Sequence, residues 1–204
     1  MKENLNIELK ERYSKRKSEI ISRLNDFKNV KNEDLFYELC FCLLTPQCPA
    51  KKADAIVQEL KKADFRNKNI NVHDFLKTTR FHNNRAKYFS EMKSKYNFIE
   101  QELKEKISTE KKRDFLVENV KGIGLKEAGH FLRNTGHENL AILDRHILKH
   151  LAELKVIEEV PKTLTKKKYL DIERKFKEFS KKINIPMDHL DLLFWSMETR
   201  EIFK

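Results

Sequence analysis

Apolar residues recur along this chain at intervals of three and four almost from end to end, the spacing of one face of an α-helix. Ile7 to Phe27 reads as a long amphipathic helix with Ile20, Ile21, Leu24 and Phe27 on one face. Asp34 to Leu44 is nearly apolar throughout, which predicts a central, buried helix, and Pro46 halts it. Pro49 opens the next helix, where Ala53, Ile56, Val57 and Leu60 form a stripe. Further helices are predicted over about Val72 to Lys77, Asn84 to Tyr96, Ile99 to Lys106, Glu110 to Val120, Leu125 to Asn134, Asp144 to Leu154, Lys166 to Ile183 and Met187 to Thr199. No stretch sustains apolar/polar alternation and no Asn-Gly or Asp-Gly turn occurs, so strand signals are nearly absent and the fold class is all-α. No Ser/Gly/Pro-rich linker or fixed-period repeat divides the chain; any two-lobe arrangement must come from the chain passing back and forth.

Composition narrows the picture. With 204 residues, 39% hydrophobic and 37% charged, the chain can bury one ample core or two small ones beneath an unusually charged surface. No apolar run is long enough to span a bilayer and the N-terminus lacks the apolar stretch of a signal peptide, which places the protein in the cytoplasm. The formal charge of +11 suits a polyanionic partner, since neutralised phosphates release condensed counterions; compositional bias or heat adaptation is the other reading. The run "PKTLTKKKYLDIERKFKEFSKK" is a solvated helix face rather than a binding tail, with Phe176 and Phe179 on its apolar side. Cys40, Cys42 and Cys48 read as free thiols of a reducing compartment. Their C-x-C-x5-C spacing lacks the paired motifs and fourth ligand of a zinc or iron–sulfur site. His146 and His150, one turn apart, lack a third ligand in register, so no metal is implied.

All four glycines, Gly122, Gly124, Gly129 and Gly136, fall within fifteen positions. "DFLVENVKGIGLKEAGHFLRN" reads as helix, tight turn, helix, with Phe115, Leu116 and Val120 facing a core on one side and Ala128, Phe131 and Leu132 on the other. Gly122 and Gly124 can bare N–H groups at the N-terminus of the second helix, where unsatisfied donors and partial positive charge attract an anion. Such a turn grips phosphate without reading bases, as a helix–hairpin–helix does; an ordinary αα-hairpin with a C-terminal capping glycine would account for Gly122 but not Gly124. Lys126 stands in the first turn of the second helix, where a cation opposes the helix dipole; a neutral amine there can attack carbon, given a nearby carboxylate to organise charge and protons. Asp144, after the apolar run Leu140 to Leu143, supplies one as a helix N-cap, although by itself it could be only a cap.

"VKGIGLKEA" followed by "LDRHI" resembles the helix–hairpin–helix DNA glycosylases, whose strand-cleaving members carry lysine two positions after the second hairpin glycine and aspartate eighteen positions later. Gly124, Lys126 and Asp144 keep both spacings. "FCLLTPQ", "TRFHNNRAKY", "LDLLFW" and the final Phe-Lys extend the resemblance over about residues 30 to 200. No cysteine follows Cys48 to hold the iron–sulfur cluster of one branch, and there is no room for the N-terminal β-rich domain of another. The branch lacking both is the type-2 8-oxoguanine DNA glycosylase/AP lyases.

The resemblance implies two helical lobes flanking a basic DNA-binding cleft, one from residues 1–40 with 136–204 and the other from 41–135 ending in the helix–hairpin–helix. It implies Lys126 as nucleophile, Asp144 as its catalytic partner, Gly122, Gly124 and His146 on the DNA backbone, and Gln47 filling the gap left by the flipped base. Phe81 and Trp195 are candidate walls of a base pocket, or core residues. Met187, Asp188 and Asp191 are candidate pocket liners, Asp188 otherwise merely starting its helix, and the terminal carboxylate of Lys204 is implied in base recognition. The implied activity is excision of 8-oxoguanine from duplex DNA and β-elimination at the abasic site, by a monomer with no cofactor. A different damaged or mismatched base, or a non-catalytic DNA-holding module, are the alternatives.

Overall fold

The computed structural model describes residues 2–204. Ten helices make up its secondary structure among the described residues: α1 (Lys2–Lys28), α2 (Asn32–Leu44), α3 (Ala50–Lys62), α4 (His73–Leu76), α5 (His82–Lys104), α6 (Thr109–Asn119), α7 (Leu125–Asn134), α8 (Arg145–Glu153), α9 (Lys166–Ile183) and α10 (Met187–Thr199). The fold is all-helical. Two predicted helices, over about 84–96 and 99–106, are the single α5, because no glycine or proline between them breaks the backbone hydrogen-bond ladder. The helix expected over 72–77 shrinks to the one turn of α4. Ile21, expected on the apolar face of α1, is exposed, whereas Ile20 and Phe27 are buried; a step of 100° per residue takes Ile21 off that face.

The chain forms two compact units. One holds the segment up to Asn29 together with Leu132–Lys204, the other Val30–Phe131. The division thus falls before α2 and inside α7, whereas the sequence reading set it at 40 and 135. α2 goes with α3 and α5 because it packs on both.

In the Val30–Phe131 unit α2 is the central helix. Phe36 to Leu44 are buried without interruption, Glu38 among them, as befits a helix that is apolar on nearly every side. Phe36 sets its ring edge-on to Tyr96 of α5 at 4.9 Å between centroids, and Phe65 and Phe89 complete the aromatic layer. Each such side chain contributes roughly 1.5–3 kcal/mol by leaving water.

In the other unit α10 plays the corresponding part, packing on α1, α8 and α9. Phe194 of α10 stacks on His150 of α8 and Phe176 of α9. After α7 the chain turns at Gly136, whose φ of +85° is left-handed and whose missing Cβ would stand 2.9 Å from Cα of Lys28. Alanine there should therefore cost about 2 kcal/mol or more, from the left-handed backbone and the clash. A thermal melt of Gly136→Ala should show Tm lowered by roughly 4–8 °C; an unchanged Tm would mean that α1 and the turn separate freely.

Candidate active site

The Val30–Phe131 unit carries the glycine turn. Gly122 adopts φ +88°, and a Cβ on it would meet the Tyr88 ring at 2.7 Å and a Leu43 methyl at 3.2 Å. The turn is thus seated on α5 and on the end of α2. Gly124 has ordinary backbone angles, and its N–H, expected to be bare, donates to Oε2 of Glu127 at 3.2 Å. Gly124 precedes the first residue of α7, so Glu127 is the third helical residue, reaching back as in a capping box. Nζ of Lys126, on a side chain about one-quarter exposed, lies 3.4 Å from the other Glu127 oxygen.

The same unit holds Gln47 and Phe81, both at left-handed φ, +54° and +58°. Left-handed residues at the ends of helices, such as Asn184 and Arg200 here, are ordinary caps. Phe81 instead precedes a helix, 56% exposed, with the Arg80 guanidinium 5.4 Å from its ring centroid. Arg85, one turn into α5, ties the two segments together. Its backbone N–H donates to the Phe81 carbonyl at 3.0 Å and its buried guanidinium donates to the Pro46 carbonyl beside Gln47. Tyr88, three residues further, is the ring under Gly122, so one face of α5 supports the Phe81 turn, the Gln47 turn and the glycine turn.

The other unit holds Asp144, His146, Met187, Asp188, Asp191, Trp195 and Lys204. Asp144 caps α8, accepting from the backbone N–H groups of His146 and Ile147 at 2.8 and 2.9 Å. Both bonds go to Oδ1, which leaves Oδ2 outside the cap. Asp188, Asp191, Trp195 and Glu198 follow one another on one stripe of α10, at spacings of three and four. Asp188 accepts from the Asn139 N–H at 3.1 Å, and burial pushes its carboxyl above the usual carboxylate range. Asp191 faces the guanidinium of Arg133 at 3.4 Å, both side chains almost wholly buried. Half-buried Trp195 lies 5.7 Å, ring to ring, from His146. Glu198 gathers side chains of α8: the Lys149 ammonium at 3.1 Å and the imidazoles of His150 at 3.1 Å and His146 at 3.5 Å. Its hydrogen bond with Lys149 holds its carboxyl below the usual range, whereas burial pushes the His150 imidazole down. Met187 is buried and Lys204 half-buried.

Sequence reasoning missed Arg85, Tyr88, Glu127 and Glu198. Glu127 had a signal, since glutamate three residues after a helix-opening glycine is half of a capping box, and Glu198 stands one turn beyond Trp195. Nothing in the sequence marks Arg85 or Tyr88, whose roles come from what α5 lies against.

The family model described as 8-oxoguanine DNA glycosylase matches residues 19–185. An 8-oxoguanine DNA glycosylase/AP lyase of Fusobacterium nucleatum is 43% identical, over 97% of this chain and 96% of its own length. One from Methanocaldococcus jannaschii is 38% identical, over 98% and 95%. Among solved structures, the 8-oxoguanine DNA glycosylase of Thermotoga maritima superposes with a TM-score of 0.88 at 32% identity, over the whole of both chains. The M. jannaschii glycosylase/lyase in complex with a 15mer DNA containing 8-oxoguanine gives a TM-score of 0.85 at 36% identity, over 98% of this chain and 99% of that one.

The Asp144 cap separates architecture from chemistry. Asp144→Ala removes both acceptor contacts and should cost about 0.5–2 kcal/mol of stability, read as a lowered denaturant midpoint. Asp144→Asn keeps an oxygen acceptor and should melt within a few tenths of a kcal/mol of wild type, as side chains able to cap do. Equal losses in the two variants would show that the charge, not the cap, holds the start of α8.

Proposed function

The chain belongs to the 8-oxoguanine DNA glycosylase/AP lyase family, and from that premise we propose that Lys126 is its nucleophile and Asp144 the carboxylate that serves it. The protein is a DNA glycosylase/AP lyase: it removes 8-oxoguanine from duplex DNA and then cleaves the strand. In the proposed mechanism the neutral amine of Lys126 attacks C1′ of the flipped nucleotide as the bond to the base breaks. Oδ2 of Asp144 stabilises the positive charge that develops on the sugar and assists the movement of protons. The covalent amine then rearranges to a Schiff base, and loss of a proton from C2′ expels the 3′ phosphate by β-elimination.

The observation that carries this reading is the position of Lys126. It is the second residue of α7, where a cation opposes the helix dipole, after a turn in which Gly122 has no room for a side chain. A lysine with only a structural part would be better placed at a helix C-terminus. The turn at Gly122 and Gly124, and His146 of the other unit, are assigned to the DNA backbone, consistent with the charge of +11. Gln47 is assigned to the space the flipped base leaves; Phe81, Trp195, Met187, Asp188 and Asp191 to the base itself. No described helix is long and apolar enough to cross a membrane; the proposed setting is DNA in the cytoplasm, met by a single copy of the chain.

Lys126→Gln preserves size and polarity and removes the nucleophile. Single-turnover assays should find excision and strand cleavage reduced below detection, while gel-shift affinity for lesion duplex stays within about threefold of wild type. Strand cleavage at the wild-type rate would assign the chemistry elsewhere. Affinity of either protein should fall with salt at a log–log slope of roughly −0.9 for each phosphate neutralised; a flat salt dependence would contradict a grip made through phosphates.

A further inference from the structure

Glu127 is shared between two groups to which the proposed function gives separate tasks. One oxygen accepts from the N–H of Gly124 at 3.2 Å. The other faces Nζ of Lys126 at 3.4 Å. The carboxylate is mostly covered, its side chain 15% exposed, and Oε2 lies 3.1 Å from where a Cβ of Gly124 would be. It therefore covers the face of the glycine that a phosphate has to approach.

As a capping box this contact would need no further explanation. Two facts of the position go beyond a cap. The capped N–H is one that the hairpin would offer to DNA, and a single N–H cannot serve a carboxylate and a phosphate oxygen at full strength. The second carboxylate oxygen is spent on the amine that must lose a proton before it can attack. The other lysine at the turn is engaged elsewhere: Lys121 pairs with Glu91 of α5 at 3.0 Å. Lys126 is the cation that pairs with Glu127.

We propose that Glu127 is a catalytic residue that links DNA docking to activation of the nucleophile, an inference that rests on Lys126 being that nucleophile. In the free protein the carboxylate stands in for the phosphate at Gly124. A phosphate arriving there displaces it, and the freed carboxylate takes a proton from Lys126. One N–H bond of the ammonium breaks and an O–H bond forms on Glu127. The electron pair left on Nζ then forms the bond to C1′, and the pair of the C1′–base bond departs with the base.

Glu127→Gln tests this, because glutamine also caps at this position while the carboxylate, both ion-pair partner and proton acceptor of Lys126, is lost. The melt should match wild type, and affinity for undamaged duplex should be equal or tighter, since no charged carboxylate has to be moved aside. General bases contribute about 10²–10⁴-fold, so borohydride trapping of Glu127→Gln at an abasic site under single-turnover conditions should be slower by on the order of 10² at neutral pH. The deficit should shrink as pH rises and hydroxide replaces the missing acceptor. A trapping rate equal to wild type, or a deficit of the same size at every pH, overturns the proposal. Failure of the premise looks different: the Lys126→Gln protein would then itself be trapped on DNA.

Discussion

A Cβ on Gly122 would stand 2.7 Å from the Tyr88 ring, and that lack of room holds the site in place. The close approach fixes the turn between α6 and α7 against α5 and so sets where α7 begins. The start of α7 in turn sets where Lys126 points and which N–H Glu127 can cap. A side chain on Gly122 would need both a left-handed backbone, at about 1–2 kcal/mol, and the space now taken by Tyr88. Arg85 extends the same support to the Gln47 and Phe81 turns. Those two non-glycine residues hold left-handed angles that cost on the order of 1–3 kcal/mol each, a cost borne only where surrounding packing leaves no alternative.

The carboxylates of the candidate site are fixed by where they find partners. Asp144 is bound through one oxygen to the backbone of α8, Asp191 to Arg133, Asp188 to the Asn139 N–H, and Glu198 to Lys149 of α8. A buried acid is costly unless it is paired or hydrogen-bonded, and these pairings orient the groups before any DNA arrives. Burial pushes the Asp188 carboxyl above the usual carboxylate range.

Much of this was legible in the sequence, because helix faces and caps are local. The limits of α7, α9 and α10 follow from apolar spacing and from the residues that start and stop helices. The cap at Asp144 follows from an aspartate between an apolar run and an amphipathic helix. Lys126 could be singled out because a cation is in the wrong place for its helix dipole. Contacts between elements were not legible. The seat of Gly122 on Tyr88, the Arg85 tie to Pro46 and the pairing of Asp191 with Arg133 join residues far apart in sequence, and no period records them. The bare N–H expected at Gly124 also missed a partner three residues away, since the glycine was read for its freedom and not for its capping glutamate.

The central claim is that the amine of Lys126 forms the covalent bond to DNA. The most direct measurement is peptide mapping by mass spectrometry of the adduct that wild-type protein forms with an 8-oxoguanine duplex under borohydride reduction. The account predicts the sugar remnant on the peptide spanning the glycine turn, with fragment ions placing it on Lys126. A remnant on another lysine, or on the N-terminal amine, would contradict it.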